Sequence, residues 1–200
     1  MSAETKGRAV DVHPTEVKGP WDRGYILDKH TLSSTMIGYN EFGHPEFDTQ
    51  RSQLGEMVYR LKYKSDKSVL PSIIETICEF VRKCGLEVDL IVPVPASKSR
   101  LLQPVVEIAE GLGKTLGVTI DATSLKKVKR TSQMKDIGDF SERVDALQGA
   151  FTVSEGLRGK RILLIDDLFQ SGATMNVVAR VLKEQGCLTV NAIALTRTRS

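Results

Sequence analysis

The stretch from Arg161 to Asn176 constrains the fold more than any other part of the chain. It reads Arg-Ile-Leu-Leu-Ile-Asp-Asp-Leu-Phe-Gln-Ser-Gly-Ala-Thr-Met-Asn. Ile162 to Ile165 form a short continuous apolar run, which suits a strand buried on both faces of a parallel sheet. Two acids follow, Asp166 and Asp167, and then a short loop carrying Ser171 and Gly172. A helix is expected from about Thr174 to Gln185, with Val177, Val178, Val181 and Leu182 on its apolar face. A strand that passes through a glycine-bearing loop into a helix is half of a βαβ unit. The chain is therefore expected to build an α/β domain around a mainly parallel sheet flanked by helices.

The same loop has the composition of a ligand site. Open parallel sheets take ligands at the carboxyl ends of their strands. A helix N-terminus there offers free N–H groups and the positive end of a dipole, which suit a phosphate. Gly172 lets the backbone come close to a ligand, and Ser171 and Thr174 supply hydroxyl donors. Asp166 and Asp167 would repel a phosphate placed against them, so they are expected to face sugar hydroxyls or a magnesium ion. The spacing describes a ligand with a phosphate at one end and a diol at the other: a phosphorylated ribose. Capping a helix needs only one such residue, so a cap alone leaves the second acid unexplained.

The rest of the chain supplies the other elements. Leu54 to Tyr63 reads as a helix with Leu54, Met57, Val58 and Leu61 on one face. Lys62, Lys64 and Lys67 near its end read as cations favoured by the helix dipole. Pro71 opens a second helix whose face is Ile73, Ile74, Ile77, Phe80 and Val81, with Gly85 as its stop. Asp89 to Val94 is a β-branched apolar strand leading into Pro95-Ala96-Ser97-Lys98-Ser99-Arg100. A helix is expected from about Leu101 to Leu116 and a strand from Val118 to Ile120. Leu125 to Asp145 carries Lys126, Lys127, Lys129, Arg130, Lys135 and Arg143 with few apolar residues. It reads as a long, mobile, basic loop of the kind that serves as a lid. Ala150 to Val153 and Leu188 to Leu195 are further strands. No internal repeat or low-complexity segment interrupts the pattern.

The N-terminal part is expected to differ. Residues 1–20 are polar and aperiodic and read as a flexible terminus. Residues 21–53 carry Gly24, Gly38, Gly43 and Pro45 and read as an irregular segment, a candidate hood over the domain of residues 54–200. Asp28, His30 and His44 lack metal-ligand spacing and are assigned surface or hydrogen-bonding roles. Cys78, Cys84 and Cys187 have apolar neighbours and no C-x-x-C spacing, so buried, unreactive thiols are expected. A net charge of +3 is too small to argue nucleic-acid binding by itself. No apolar run reaches the ~20 residues of a membrane helix. Met1 to Val12 mixes Glu4, Lys6, Arg8 and Asp11, unlike a signal peptide, so a cytoplasmic location with no membrane partner is expected.

The Ile162 to Thr174 segment resembles the phosphoribosyl-pyrophosphate (PRPP) motif of type I phosphoribosyltransferases. Leu61-Lys62-Tyr63-Lys64-Ser65-Asp66, Val92 to Arg100, Gln133, Glu142-Arg143 and Gly149-Ala150-Phe151 look like the competence-associated ComF branch of that family, in the same order. The likeness spans roughly Met57 to Arg199. It implies the type I phosphoribosyltransferase fold and a role for each matched position. Gln170, Ser171, Gly172, Ala173 and Thr174 would hold the 5′-phosphate. Asp166 and Asp167 would bind the ribose hydroxyls and, directly or through water, magnesium. Ala96, Ser97 and Lys98, with Arg100, would take the pyrophosphate, and magnesium (Mg2+) would bridge it to the ribose. The loop bearing Arg130, Gln133, Lys135 and Arg143 would close over the ligand. A nucleophile would attack C1 of the ribose as pyrophosphate leaves, with Asp166, Asp167, Lys98 and Arg100 as the catalytic set.

The chain also departs from that branch. It has no N-terminal cysteine module for zinc, it carries Phe169-Gln170 where smaller or hydroxyl residues are common, and Ala146 stands in place of Asn. No general base is evident. Two readings follow: a phosphoribosyltransferase acting on an unidentified acceptor, or a PRPP-fold protein that works on nucleic acid or with a nucleic-acid-processing partner. ComF-like proteins are associated with DNA uptake, and related proteins occur in bacterial defence systems such as retrons. In the second reading Lys126 to Lys135 would meet the phosphates of a strand. The resemblance also implies a homodimer.

Overall fold

The computed structural model describes residues 7–96, 103–129 and 139–198. In chain order its elements are β1 (Thr15–Glu16), β2 (Arg23–Lys29), β3 (Thr31–Tyr39), β4 (Pro45–Arg51), α1 (Gln53–Lys64), α2 (Leu70–Lys83), β5 (Leu90–Pro93), α3 (Pro104–Leu116), β6 (Thr119–Ile120), β7 (Leu125–Lys127), α4 (Phe140–Ala146), β8 (Phe151–Val153), β9 (Arg161–Phe169), α5 (Ala173–Glu184) and β10 (Thr189–Arg197). A six-stranded sheet runs in the order β1-β2-β10-β9-β5-β6. Every neighbour in it is parallel except β1, which pairs antiparallel with β2.

Strand parity explains how the sheet is covered. Ile162 and Leu164 pack on one side with Val190, Ala192, Val178 and Leu182, whereas Leu163 and Ile165 pack on the other with Ile193, Ile73, Ile77 and Ile108. The first layer is closed by α5, with α4 and the small β7–β8 sheet against it; the second is closed by α1, α2 and α3. Both faces of β9 are thus dry, which is why its sequence is continuously apolar rather than alternating. Leu163 is fully buried, and a side chain of its size contributes roughly 1.5–3 kcal/mol on burial.

The helices begin where the chain supplies a reason. Ser52 caps α1 by accepting from the Gly55 N–H, and its hydroxyl donates to the Lys29 carbonyl at 2.6 Å, tying the helix start to the end of β2. Gly55 is required there, because a Cβ would lie 2.3 Å from the His30 carbonyl oxygen. Pro71 lies in the first turn of α2 as expected. Gly117, in the left-handed conformation, closes α3.

Three expectations are corrected. Residues 21–53 are not irregular: β2 lies inside the main sheet beside β10, and β3 and β4 form a hairpin. The turn formers punctuate these strands, with the Asn40 side chain accepting from the Phe42 and His44 N–H groups at the hairpin tip. Residues 7–20 are docked, not flexible: the Val10 N–H donates to Thr76, and the Trp21 indole reaches back to the Val17 carbonyl at 2.8 Å. The basic segment 125–145 begins as β7, which pairs with β8, and ends as α4, capped by Asp139. Leu125 and Val144 anchor those two ends in the core. Cys78 and Cys187 are buried and Cys84 is half-buried; burial pushes the Cys78 thiol up to about 11, in keeping with unreactive thiols. Among the described residues no helix is long and apolar enough to cross a membrane.

Candidate functional site

The carboxyl ends of β2, β10, β9 and β5 converge on one edge of the sheet. β9 does not stop at Ile165. It continues to Phe169, because β10 keeps pairing with it through Thr196 opposite Leu168 and Arg197 opposite Phe169. The two acids therefore lie within a strand rather than after it. The Asp166 carboxylate accepts from the Asp167 N–H at 2.9 Å. Burial, and next the charge of Asp167, push the Asp166 carboxyl up to about 8, against the pull of that N–H and of Lys62.

Asp167 is nearly buried and its Oδ2 is 2.6 Å from the Lys62 ammonium. Lys62 comes from α1, placed by the Ser52 cap and the close approach of Gly55 to His30. The dipole reading of Lys62 is thus corrected, since the side chain leaves the helix end to neutralise an acid far away in sequence. The Asp167 carbonyl accepts from the Thr196 hydroxyl at 3.2 Å, and Thr196 lies 3.0 Å from His30 Nδ1. The Thr196 hydroxyl thus links the His30 ring to the Asp167 backbone. Burial and the cations Arg51 and Lys62 lower the His30 pKa, which favours the neutral imidazole. The hydrogen-bonding role expected of His30 holds. Its neighbourhood with Asp167 was hidden in the sequence, because β2 meets β10 only across most of the chain.

Beyond β9 the loop turns at Gly172, whose φ of +79° is left-handed and whose absent Cβ would sit 2.3 Å from the Phe169 ring. Glycine is thus demanded twice at this point. No side chain caps α5 in the manner of Ser52; the Ser171 hydroxyl approaches the Ala173 N–H only at 3.4 Å. Gln170 is exposed, Ser171 and Thr174 are half-buried, and Gly172 and Ala173 are buried. The geometry is an open helix N-terminus next to paired carboxylates, with the orphan donors available to an anion.

The other expected residues are divided. Ala96 follows the end of β5 and is exposed. Ser97, Lys98 and Arg100 lie outside the described residues, as do Arg130, Gln133 and Lys135. Arg143 is half-buried on α4, a helix that packs on α5, rather than on an extended loop. Among the described residues no group of three or more His, Cys, Asp or Glu is arranged to hold a metal. The donor set available for a metal is the pair of carboxylates, which suits an ion that takes one or two protein carboxylates and completes its shell with water and substrate oxygens.

The phosphoribosyl transferase domain family matches residues 67–200 of the chain. The competence protein ComFC of Streptococcus pneumoniae is 28% identical over 154 residues, covering 77% of this chain and 68% of that protein. The DNA utilization protein YhgH of Salmonella typhimurium is 23% identical over 191 residues, covering 88% and 77%. Adenine phosphoribosyltransferase from Leishmania tarentolae, a solved structure, is 13% identical, covering 92% and 94% with a TM-score of 0.49. With a family match across two thirds of its length and a mainly parallel sheet flanked by helices, the chain belongs to the type I phosphoribosyltransferases, in their ComF-like branch.

Proposed function

We propose that the chain binds PRPP, or a related ribose phosphate, and transfers its phosphoribosyl group to an acceptor with release of pyrophosphate. The observation that carries this reading is the pairing of Asp166 and Asp167 with the open N-terminus of α5, one turn of loop away. The helix end and the loop from Gln170 to Thr174 receive the 5′-phosphate. Asp167, paired with the Lys62 ammonium, accepts from ribose hydroxyls. Asp166 and Asp167 are the residues that would hold Mg2+, which supplies charge neutralisation of the pyrophosphate as it leaves. Asp166, whose carboxyl is held up by burial and by the charge of Asp167, is the group whose ionised form a bound cation would favour. Ala96, Ser97, Lys98 and Arg100 take the pyrophosphate in this reading, and Arg130, Gln133, Lys135 and Arg143 belong to the covering segment. His30, whose pKa is lowered by burial and by Arg51 and Lys62, is a neutral polar group beside the site.

The test is calorimetric titration of PRPP with and without magnesium. Magnesium-dependent binding that is lost in Asp166→Ala/Asp167→Ala, in a folded protein, is the expected result. Equal binding by that variant refutes the assignment of the two acids. A second reading draws on the curated relatives, whose names concern competence and DNA utilization. In it the pocket serves a protein that acts on nucleic acid, met by Lys126 and Lys129 beside β7. Single-stranded DNA binding that weakens steeply with salt supports it, and no binding at low salt rejects it.

A further inference from the structure

Arg51 stands at the root of the β3–β4 hairpin, opposite Thr31 and directly before the Ser52 cap of α1. Its guanidinium lies over the Tyr59 ring, 3.9 Å from the ring centre. That group brings N–H donors on three nitrogens. Among the described residues they meet one acceptor, Glu56, at 3.3 Å and on a side chain that is 44% exposed. Nε is closed to solvent and has no acceptor at all. A buried donor left unmet destabilises a protein, so such an atom calls for an explanation. Fastening the hairpin to α1 does not provide one, because stacking on Tyr59 uses the face of the guanidinium and none of its N–H groups.

The position of Arg51 does provide one. His30, the residue after β2, lies close enough for the charges of Arg51, Lys62, Asp167 and Glu56 all to act on its ring. That ring is bonded to Thr196, and Thr196 to the Asp167 carbonyl. Arg51 and the acid assigned to the ribose thus share a neighbour. The Arg51 side chain is 21% exposed, so it remains open to a ligand on one side.

Charge sets the class of that ligand. Around Tyr59 stand two cations, Arg51 and Lys64, and one acid, Glu56. Lys62 and Asp167 offset each other nearby. The excess is a single positive charge, which a monoanion matches and a phosphate dianion exceeds. A carboxylate is such a monoanion, and its two oxygens fit the planar guanidinium fork. We propose that Arg51 anchors the acceptor of the transfer reaction and that this acceptor carries a carboxylate. The acceptor role rests on the transferase reading; the anion site does not.

The test is an NMR titration of the full chain with sodium acetate and sodium benzoate. Benzamide is the uncharged counterpart, and sodium chloride controls for ionic strength. The Arg51 Nε–H signal and the Tyr59 backbone amide are followed in the parent, and the Tyr59 amide alone in Arg51→Met. Both carboxylates are expected to shift these signals saturably, and benzamide and chloride are not. Arg51→Met keeps the stem over Tyr59 and removes the fork, so the Kd is expected to rise about 10- to 100-fold. Glu56→Gln removes the competing acid and is expected to tighten binding about two- to fivefold, which a purely structural Arg51 would not give. No saturable shift up to about 50 mM carboxylate, where even weak sites fill, overturns the inference. So does an equal response to benzamide, or a Kd unchanged in Arg51→Met. Benzoate is also expected to bind in the presence of PRPP and magnesium, because acceptor and donor occupy the site together. Competition between them assigns Arg51 to a phosphate pocket and overturns the acceptor role. A chain that binds benzoate but no PRPP refutes the transferase reading, and the acceptor role with it. A chain that binds PRPP but no carboxylate refutes the acceptor class alone.

Discussion

Replacing Lys62 by Met tests the electrostatic design of the site. The change keeps the length and most of the apolar stem of the side chain and deletes only its charge. At 2.6 Å two unit charges attract by about 6 kcal/mol at an effective dielectric of 20. Much of that offsets the desolvation of both groups, since the Lys62 and Asp167 side chains are 18% and 10% exposed. Removing one partner leaves the other buried and unpaired, which typically costs about 3–5 kcal/mol. Asp166 adds to the cost, because its carboxyl is already held up by burial and by Asp167. For a chain of this size each kcal/mol moves the melting temperature by about 2–4 °C, so a fall on the order of 10 °C is expected in the ligand-free protein. Magnesium should then protect the variant more than the parent, because a divalent ion replaces the lost cation. Thermal melts of parent, Lys62→Met and Lys62→Arg, with and without millimolar magnesium, measure both effects. A Lys62→Met protein that melts within about 2 °C of the parent refutes the reasoning, since that is what an exposed ion pair would give.

Asp166 gives a pH dependence. Its folded pKa of about 8 lies above the ordinary carboxylate value near 3.9. The folded state then keeps a proton that the unfolded chain has released, so the contribution is full below about pH 4 and is lost as pH rises through about 8. Melting temperature should decline over that window, and Asp166→Asn should flatten the decline. Gly172→Ala forces a side chain into a left-handed backbone and onto the Phe169 ring, at a cost of about 1–3 kcal/mol. Denaturant melts should detect the loss, and Phe169→Ala in the same chain should recover part of it. Gly55→Ala drives a methyl into the His30 carbonyl at 2.3 Å, so α1 must retreat from β2. Overpacking of this kind costs typically about 1–3 kcal/mol, and displaced Lys62 should weaken ribose-phosphate binding as read by calorimetry.

The parts of this fold that were legible in the sequence are those whose signal is local. Ile162 to Ile165, the face Ile73-Ile77-Phe80-Val81, and the stops Gly85 and Gly117 each state their element within a few residues. Asp166, Asp167 and the loop to Thr174 were legible for the same reason, being contiguous. What escaped depended on distant partners. β2 looks irregular because Arg23-Gly24-Tyr25 lacks a clean period, yet its place is decided by ladder bonds to β10. β3 and β4 read poorly because their exposed strands have Ser, Thr and acids between the apolar positions. Lys62 looked like an ordinary helix-end cation, and only the packing of α1 onto β2 and β10 brings it to Asp167. His30 carried no spacing signal at all; its one clue was its place directly after a strand that no local pattern announced.

The insertion of β2 beside β10 has a consequence for how the protein is made. Asp22 accepts from the Val190 N–H, a closure over 168 residues, and β10 lies between β2 and β9 in the finished sheet. During synthesis the strand that emerges among the first must wait, with an open edge, for one that emerges among the last. Such late, long-range parallel pairing carries the full entropy of loop closure before it returns any contact energy, and it slows folding. Until then β2 and β9 are each short of a neighbour and exposed to wrong partners. Assembly of the carboxyl-end edge, where His30, Lys62 and Asp167 meet, is therefore a final act of folding. The site cannot exist in a nascent chain that has not yet released β10.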